Sequence, residues 1–167
     1  MINPEDFARL RIGTGFDLHP ISTDESRKFI LGGIEVAHAY GPLGHSDADV
    51  VCHALADALL GSVELGGIGD HFLDSDPAWA GADSVMLLRR CHALFEDKGY
   101  RLINGDVTVI LQLPKIASFR MAIEKNMTAV LGAPVSVKAK SPEHIGSLGR
   151  GEAVVCQVAI LAYNSHD

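Results

Sequence analysis

Asp17 and His19 are the first candidates for a functional site along the chain. They lie two positions apart in GFDLHPI, a segment that we predict to be a β-strand. Side chains at positions i and i+2 of a strand point to the same face. A carboxylate and an imidazole side by side could supply two of the three protein ligands that a catalytic zinc site uses.

His53 is a candidate for the third ligand, because it falls within a predicted helix over 46–61. Asp49 and Asp57 lie four residues to either side, so the three polar side chains share one helical face. A metal-binding histidine usually donates its other ring N–H to a carboxylate, and Asp49 or Asp57 could be that group. The alternative is that His53 is an ordinary surface or core histidine and that the acids form a solvated face or a cap.

The segments that must position these residues alternate between strand and helix patterns. Ser46 would begin the first helix in a capping box, and Gly61 would end it. The order β-β-α-α-β-α-β-β predicts an α+β sandwich with helices on one face of the sheet. The predicted strands are 10–18, 28–36, 106–113, 134–140 and 153–163, and the predicted helices are 46–61, 84–99 and 116–132.

Two glycine-rich segments, 66–83 and 141–152, are predicted to be loops. The first contains several Asp and Pro residues and is longer than a passive connection between two elements normally needs. This length favours a functional role for the segment.

Composition limits the class of protein. The 167 residues are 47% hydrophobic and 21% charged, which predicts a single domain over 1–167 with a sizeable core. A net charge of −7 without a basic patch disfavours nucleic-acid binding, and the lack of an 18-residue apolar run disfavours a membrane span. The three cysteines are dispersed, and the N-terminus has no secretory pattern. Both features predict a cytoplasmic location, with a plastid-type organelle as the alternative.

Five segments occur together in a specific order: GFDLHPI, GHSDADVVCHALADALLG, FLDSDPAWAGADS, NGDVTVILQLPK and SLGRGE. Over roughly residues 10–163 the chain resembles the 2-C-methyl-D-erythritol 2,4-cyclodiphosphate synthase family of non-mevalonate isoprenoid biosynthesis. The resemblance implies a phosphorus–oxygen lyase whose substrate is 4-diphosphocytidyl-2-C-methyl-D-erythritol 2-phosphate. The 2-phosphate would attack the β-phosphorus, CMP would leave and a cyclic diphosphate would form. The resemblance also implies a mixed sheet and a homotrimer with active sites between subunits.

The same resemblance implies two metal ions and a set of substrate contacts. Asp17, His19 and His53 would hold zinc, with a substrate phosphate oxygen as fourth ligand. Glu143 would hold a second divalent ion, Mg²⁺ or Mn²⁺, between the phosphates. The catalytic residues would be His45 and Ser141. The other expected contacts are His45, Ser46 and Asp74 for the phosphates and the methylerythritol, Pro114, Lys115, Ile116, Ala139, Lys140 and Ser141 for the cytidine, and Arg150 and Glu152 at a trimer-axis cavity that could hold an isoprenoid diphosphate.

Several positions depart from the family pattern. Gly67 stands where an acid is usual and Leu73 where a proline is usual, and the loop around Glu143 carries Lys140, Pro142, His144 and Ser147. Three hypotheses therefore stay open. The favoured one is a working synthase, the second is a zinc phosphohydrolase that activates water, and the third is a non-catalytic paralogue that binds metal or isoprenoid diphosphate.

Overall fold

The computed structural model of the chain describes residues 7–73 and 75–165. Within them, a four-stranded sheet has the order β1-β6-β4-β5, and β2 and β3 form a separate hairpin. β6 is antiparallel to both of its neighbours, and β4 and β5 are parallel. The α+β class and the mixed sheet are therefore confirmed. The strands are β1 Leu10–Pro20, β2 Phe29–Leu31, β3 Ile34–Val36, β4 Tyr100–Ile110, β5 Val135–Lys140 and β6 Ala153–Asn164, and the helices are α1 Val50–Ser62, α2 Ile68–His71, α3 Ser84–Asp97, α4 Arg120–Leu131 and α5 Gly146–Gly149.

The long helices cover one face of the four-stranded sheet. α1 packs along β1 and β6, α4 packs on β5, and α3 packs against α1. The opposite face of β1 stays open, and its side chains Ile12, Phe16 and Leu18 are 74%, 60% and 49% exposed. The predicted sandwich with helices on one face is confirmed, and β1 presents three large apolar side chains on the other face.

Two glycines of β1 allow α1 to approach the strand closely. A Cβ at Gly13 would lie 2.0 Å from the carbonyl oxygen of Ala58, and a Cβ at Gly15 would lie 1.8 Å from that of Ala54. Glycine is therefore the residue that fits, because any side chain would push the helix away from the strand. Asp17 is the next side chain in the same row of β1, so the close approach also brings this carboxylate to the helix.

The start of α1 differs from the prediction. Ala48 has a φ of 59°, in the left-handed region, and this interrupts the helix that we expected to begin at Ser46. Asp49 is the N-cap instead, and its carboxylate accepts the backbone N–H groups of Val51 and Cys52. The expected capping box is therefore wrong, and the helix starts one turn later.

Three other predicted boundaries are also corrected. Segment 28–36 is not one strand but the β2–β3 hairpin, because Gly32 and Gly33 have φ values of 55° and 73° and reverse the chain. Gly61 lies inside α1 rather than at its end. β4 spans Tyr100–Ile110, so it both begins and ends earlier than the expected strand 106–113.

The two glycine-rich segments are not entirely loops. The first contains α2 and a 3₁₀ helix, Pro77–Trp79, and the second contains α5. Among the residues that the structure describes, no helix has both the length and the apolar character needed to cross a membrane.

Candidate metal centre and active site

Asp17, His19 and His53 line one cavity of about 390 Å³ and bring their ligand atoms together. Asp17 Oδ2 lies 3.1 Å from His19 Nε2 and 3.1 Å from His53 Nδ1, and the two nitrogens are 3.3 Å apart. A tetrahedral zinc ion with bonds of about 2.0–2.1 Å needs ligand atoms about 3.3–3.4 Å apart. The three atoms thus form one face of a tetrahedron of nearly the size that zinc requires, and the residues fit the metal.

The N-cap of α1 fixes the position of His53, which lies in the first turn of the helix. The Asp49 carboxylate, which is fully buried, also accepts the N–H groups of Gly32 and Gly33 at 2.9 Å and 2.7 Å. Burial raises the pKa of Asp49 in spite of these donors. One buried acid therefore ties the hairpin turn to the start of the helix that carries the third ligand.

The electrostatics of the three ligands favour a charged carboxylate beside the imidazoles. Burial alone would raise the pKa of Asp17, but the hydrogen bonds and charges of His19 and His53 outweigh it and hold that pKa well below its ordinary value. Burial disfavours the His53 imidazolium, yet the Asp17 carboxylate raises the pKa of His53. A metal ion bound at His53 would compete with a proton for the same ring nitrogen.

The second ring nitrogen of His53 does not contact the acids that the sequence suggested. His53 Nε2 lies 2.9 Å from Ser84 Oγ and 3.1 Å from Ser46 Oγ. Within the described part of the chain, neither Asp49 nor Asp57 is a hydrogen-bond partner of this ring. Sequence reasoning missed Ser84, since no local pattern distinguishes it from any serine at the start of a helix.

Asp57 does not line the cavity but holds Ile68, a residue that does. Its Oδ1 accepts the N–H of Ile68 at 2.7 Å, which positions the start of α2. Burial raises the pKa of Asp57. A Cβ at Gly67 would lie 3.1 Å from the same oxygen, and the N–H of Gly67 donates to Asp70 at 2.9 Å. A carboxylate at position 67 would therefore add a like charge beside Asp57.

The rest of the cavity has one polar side and one apolar side. His45 is exposed on the rim, with Nε2 3.3 Å from the Asp76 carbonyl oxygen, and Ser46 is buried. Phe72 and Trp79 form an edge-to-face pair with centroids 5.0 Å apart. Asp74, expected to contact the methylerythritol, lies outside the described residues. The apolar side consists of Ile68, Phe72, Trp79 and Leu87.

A second cavity, of about 180 Å³, lies where the parallel strands β4 and β5 end. All six residues expected to surround a cytidine line it, and none of its lining residues lines the metal cavity. Ile116 is buried at the base, whereas Lys115 and Lys140 are exposed. The residues that line this second cavity are Leu111, Pro114, Lys115, Ile116, Ala117, Ala139, Lys140 and Ser141.

The remaining expected site residues are exposed. Glu143 has a φ of 52°, and its N–H donates to Ser141 Oγ at 3.1 Å. The next residue, His144, also has a positive φ, of 61°. Arg150 and Glu152 form a two-bonded ion pair, with Nε–Oε1 2.6 Å and Nη2–Oε2 3.0 Å, on the surface.

The chain is thus an α+β protein with a candidate metal site in one cavity and a second, separate cavity. Residues 10–163 match the profile of the YgbB family. Two curated relatives are named 2-C-methyl-D-erythritol 2,4-cyclodiphosphate synthase. The one from Dechloromonas aromatica is 48% identical, and the match covers 90% of this chain and 95% of the relative. The one from Marinobacter nauticus is 49% identical, and the match covers 91% of this chain and 96% of the relative. The solved IspF CDP complex of Plasmodium falciparum is 34% identical, covers 94% of this chain and 97% of that one, and has a TM-score of 0.81. The chain belongs to the YgbB family.

Proposed function

We propose that this chain converts 4-diphosphocytidyl-2-C-methyl-D-erythritol 2-phosphate to 2-C-methyl-D-erythritol 2,4-cyclodiphosphate and CMP. The observation that carries the proposal is the triad of Asp17, His19 and His53, preformed at tetrahedral spacing in a chain whose relatives are named as this synthase. The reaction belongs to isoprenoid precursor biosynthesis and makes the protein a phosphorus–oxygen lyase.

The metal cavity would hold the methylerythritol and its 2-phosphate. Asp17, His19 and His53 would bind zinc, which would supply Lewis-acid polarisation and charge neutralisation at a phosphate oxygen. The apolar wall would exclude water and hold the carbon skeleton, and His45 and Ser46 would contact the polar groups. Because the attacking phosphate and the diphosphate belong to one molecule, fixing their orientation supplies much of the rate acceleration without a covalent enzyme intermediate.

The second cavity would hold the cytidine of the substrate. Backbone groups of its lining loops can match the donor and acceptor edge of the base, and Ser141 would contact a phosphate. Glu143 would hold a second divalent cation, Mg²⁺ or Mn²⁺, which commonly takes one carboxylate together with phosphates and waters. Support comes from the solved relative that is a CDP complex and from the convergence of all six expected lining residues.

The active protein would be a homotrimer with the metal and cytidine cavities of neighbouring subunits facing each other. Two observations support this arrangement: the cavities of one chain share no lining residue, and the open face of β1 presents Phe16 and its apolar neighbours. Arg150 and Glu152 would lie near the trimer axis, where an isoprenoid diphosphate could bind. A single domain over 1–167 and a cytoplasmic location complete the proposal.

The decisive experiment follows phosphorus by NMR while the purified protein, zinc and magnesium act on the CDP-linked substrate. We expect stoichiometric CMP and a cyclic diphosphate, and we expect neither product from His53→Ala. Release of inorganic phosphate would instead establish a phosphohydrolase. Bound zinc without turnover would establish a binding paralogue, and the departures at Gly67 and Pro142 would then explain the lost activity.

A further inference from the structure

A chain of hydrogen bonds runs away from the metal centre behind His53. His53 Nε2 meets Ser84 Oγ at 2.9 Å, and Ser84 Oγ in turn forms a short hydrogen bond to Asp47 Oδ1. Ser84 is fully buried, and His53 and Asp47 are partly buried. The three residues come from the first turn of α1, the first residue of α3 and the loop before α1, so only the fold brings them together.

The hydrogen atoms in this chain can be assigned from donor and acceptor chemistry. The Asp47 carboxylate only accepts, so the Ser84 hydroxyl must donate to it. The oxygen of Ser84 then faces His53 with a lone pair, which requires a proton on His53 Nε2. A neutral imidazole with its proton on Nε2 has its lone pair on Nδ1, and Nδ1 is the atom that faces Asp17 and His19.

Backbone contacts hold the carboxylate in place. Asp47 Oδ2 accepts the N–H of Ser84 at 3.1 Å, and Oδ1 accepts the N–H of Asp49 at 3.3 Å. Each oxygen therefore faces at least one backbone donor. An asparagine amide at this position could be placed in two ways. In either one its NH₂ group would face a backbone N–H, of Asp49 or of Ser84, and two donors cannot form a hydrogen bond. The position therefore favours a carboxylate.

We infer that Asp47 and Ser84 are positioning residues that set the tautomer and ring orientation of His53 for metal binding. Ser46 contacts the same edge of the ring. Its Oγ is 3.1 Å from His53 Nε2 and 3.3 Å from Ser84 Oγ. The inference rests on the proposed metal centre. It assigns to a serine and an aspartate the role that the sequence suggested for Asp49 or Asp57.

The test measures zinc and cobalt dissociation constants by competition with a chelator. The variants are Ser84→Ala and Asp47→Asn, which nearly preserve side-chain size, and the matched control is Ser62→Ala. Ser62 is a buried serine of α1 whose hydroxyl donates to the Leu59 carbonyl oxygen at 2.7 Å, away from the metal. Thermal unfolding of each metal-free variant reports stability separately, so weaker metal binding is not confused with unfolding.

We expect Ser84→Ala and Asp47→Asn to weaken metal binding by about 10–100-fold, the usual effect of removing a partner of a metal ligand. We expect Ser62→Ala to bind metal like the parent protein even if its melting temperature falls equally. The visible spectrum of bound cobalt should change in Ser84→Ala and in Asp47→Asn but not in Ser62→Ala, and a ¹⁵N–¹H correlation of the zinc-loaded parent should show the His53 Nε2–H proton. Unchanged affinity and cobalt spectrum in both variants would overturn the inference, whereas a parent protein that binds no metal would overturn the proposed function itself.

Discussion

The cavity with the candidate metal ligands and the cavity proposed for the cytidine are built in different ways. The ligands of the metal cavity are partly buried, and each contacts the other two across β1 and α1. Lys140, which lines the second cavity at the end of β5, and Glu143, on the loop that follows, are exposed. One chain therefore brings the three candidate metal ligands together, whereas the polar residues around the second cavity remain exposed to solvent.

The largest effect is expected from removing a ligand of the preformed centre. His53→Ala should lower zinc affinity by more than about 100-fold, because a direct ligand contributes more than its hydrogen-bond partner does. Turnover should be lost together with the metal. Metal content by atomic absorption and turnover by phosphorus NMR check this prediction. One zinc ion per chain and parental turnover in the variant would refute the ligand assignment.

The next effect concerns the exposed face of β1, where subunits of the proposed trimer would meet. Phe16→Lys should dissociate the proposed trimer, because a charge cannot be buried in an apolar interface without a large cost. Met121→Lys is the matched control, since Met121 is 73% exposed but lies on α4. Analytical ultracentrifugation should show monomers for Phe16→Lys and trimers for both the parent protein and Met121→Lys. A parent protein that is itself a monomer would contradict the proposed assembly.

A stability test addresses the packing that joins β1 to α1. Gly15→Ala should destabilise the protein by about 1–3 kcal/mol or more, because the new Cβ would meet the Ala54 carbonyl oxygen at 1.8 Å. Gly61→Ala should instead stabilise it by about 0.5–1 kcal/mol, since its Cβ lies 4.0 Å from its nearest neighbour and alanine favours the helix. Urea unfolding compares the two. Equal effects would show that the close strand–helix approach is not needed.

The pH dependence of metal binding follows from the raised pKa of His53. A protonated His53 cannot bind zinc, so affinity should fall by up to about tenfold per pH unit below that pKa. The stability of the metal-free protein should change with pH in the opposite direction. The raised pKa of His53 stabilises the fold at pH values below the ordinary pKa of about 6.5. This stabilisation is lost as the pH rises through the pKa of His53 in the folded protein. Isothermal titration with zinc across this range, and urea unfolding of the parent and His53→Ala, check both signs.

The smallest effect on stability is expected at the surface pair of Arg150 and Glu152. Both side chains are more than half exposed, so Arg150→Ala should leave the free energy of unfolding unchanged within error. If the trimer axis forms a cavity for an isoprenoid diphosphate, the same variant should lose binding of that ligand. Calorimetry with a short isoprenoid diphosphate measures the binding. Parental affinity in the variant would exclude a role for Arg150 in the cavity.

Strong local signals in the sequence predicted several elements, and its motifs identified several site residues. The alternation of strands and helices predicted the α+β sandwich, and the DxH spacing placed Asp17 and His19 on one face of a strand. His53 was also found, because its position in GHSDADVVCHALADALLG is distinctive. The match of the YgbB profile to 10–163 agrees with the extent of the resemblance seen in the sequence.

The groups that support these residues could be identified only from the folded structure. Ala48 takes a left-handed φ that no local propensity predicts, and this moves the start of α1 to Asp49. One partner of His53 Nε2 is Ser84, 31 positions away along the chain, because α3 packs against α1. Hydrogen-bond partners from distant elements leave no periodic trace in a sequence, and they become visible only when the packing of strand on helix sets the distances.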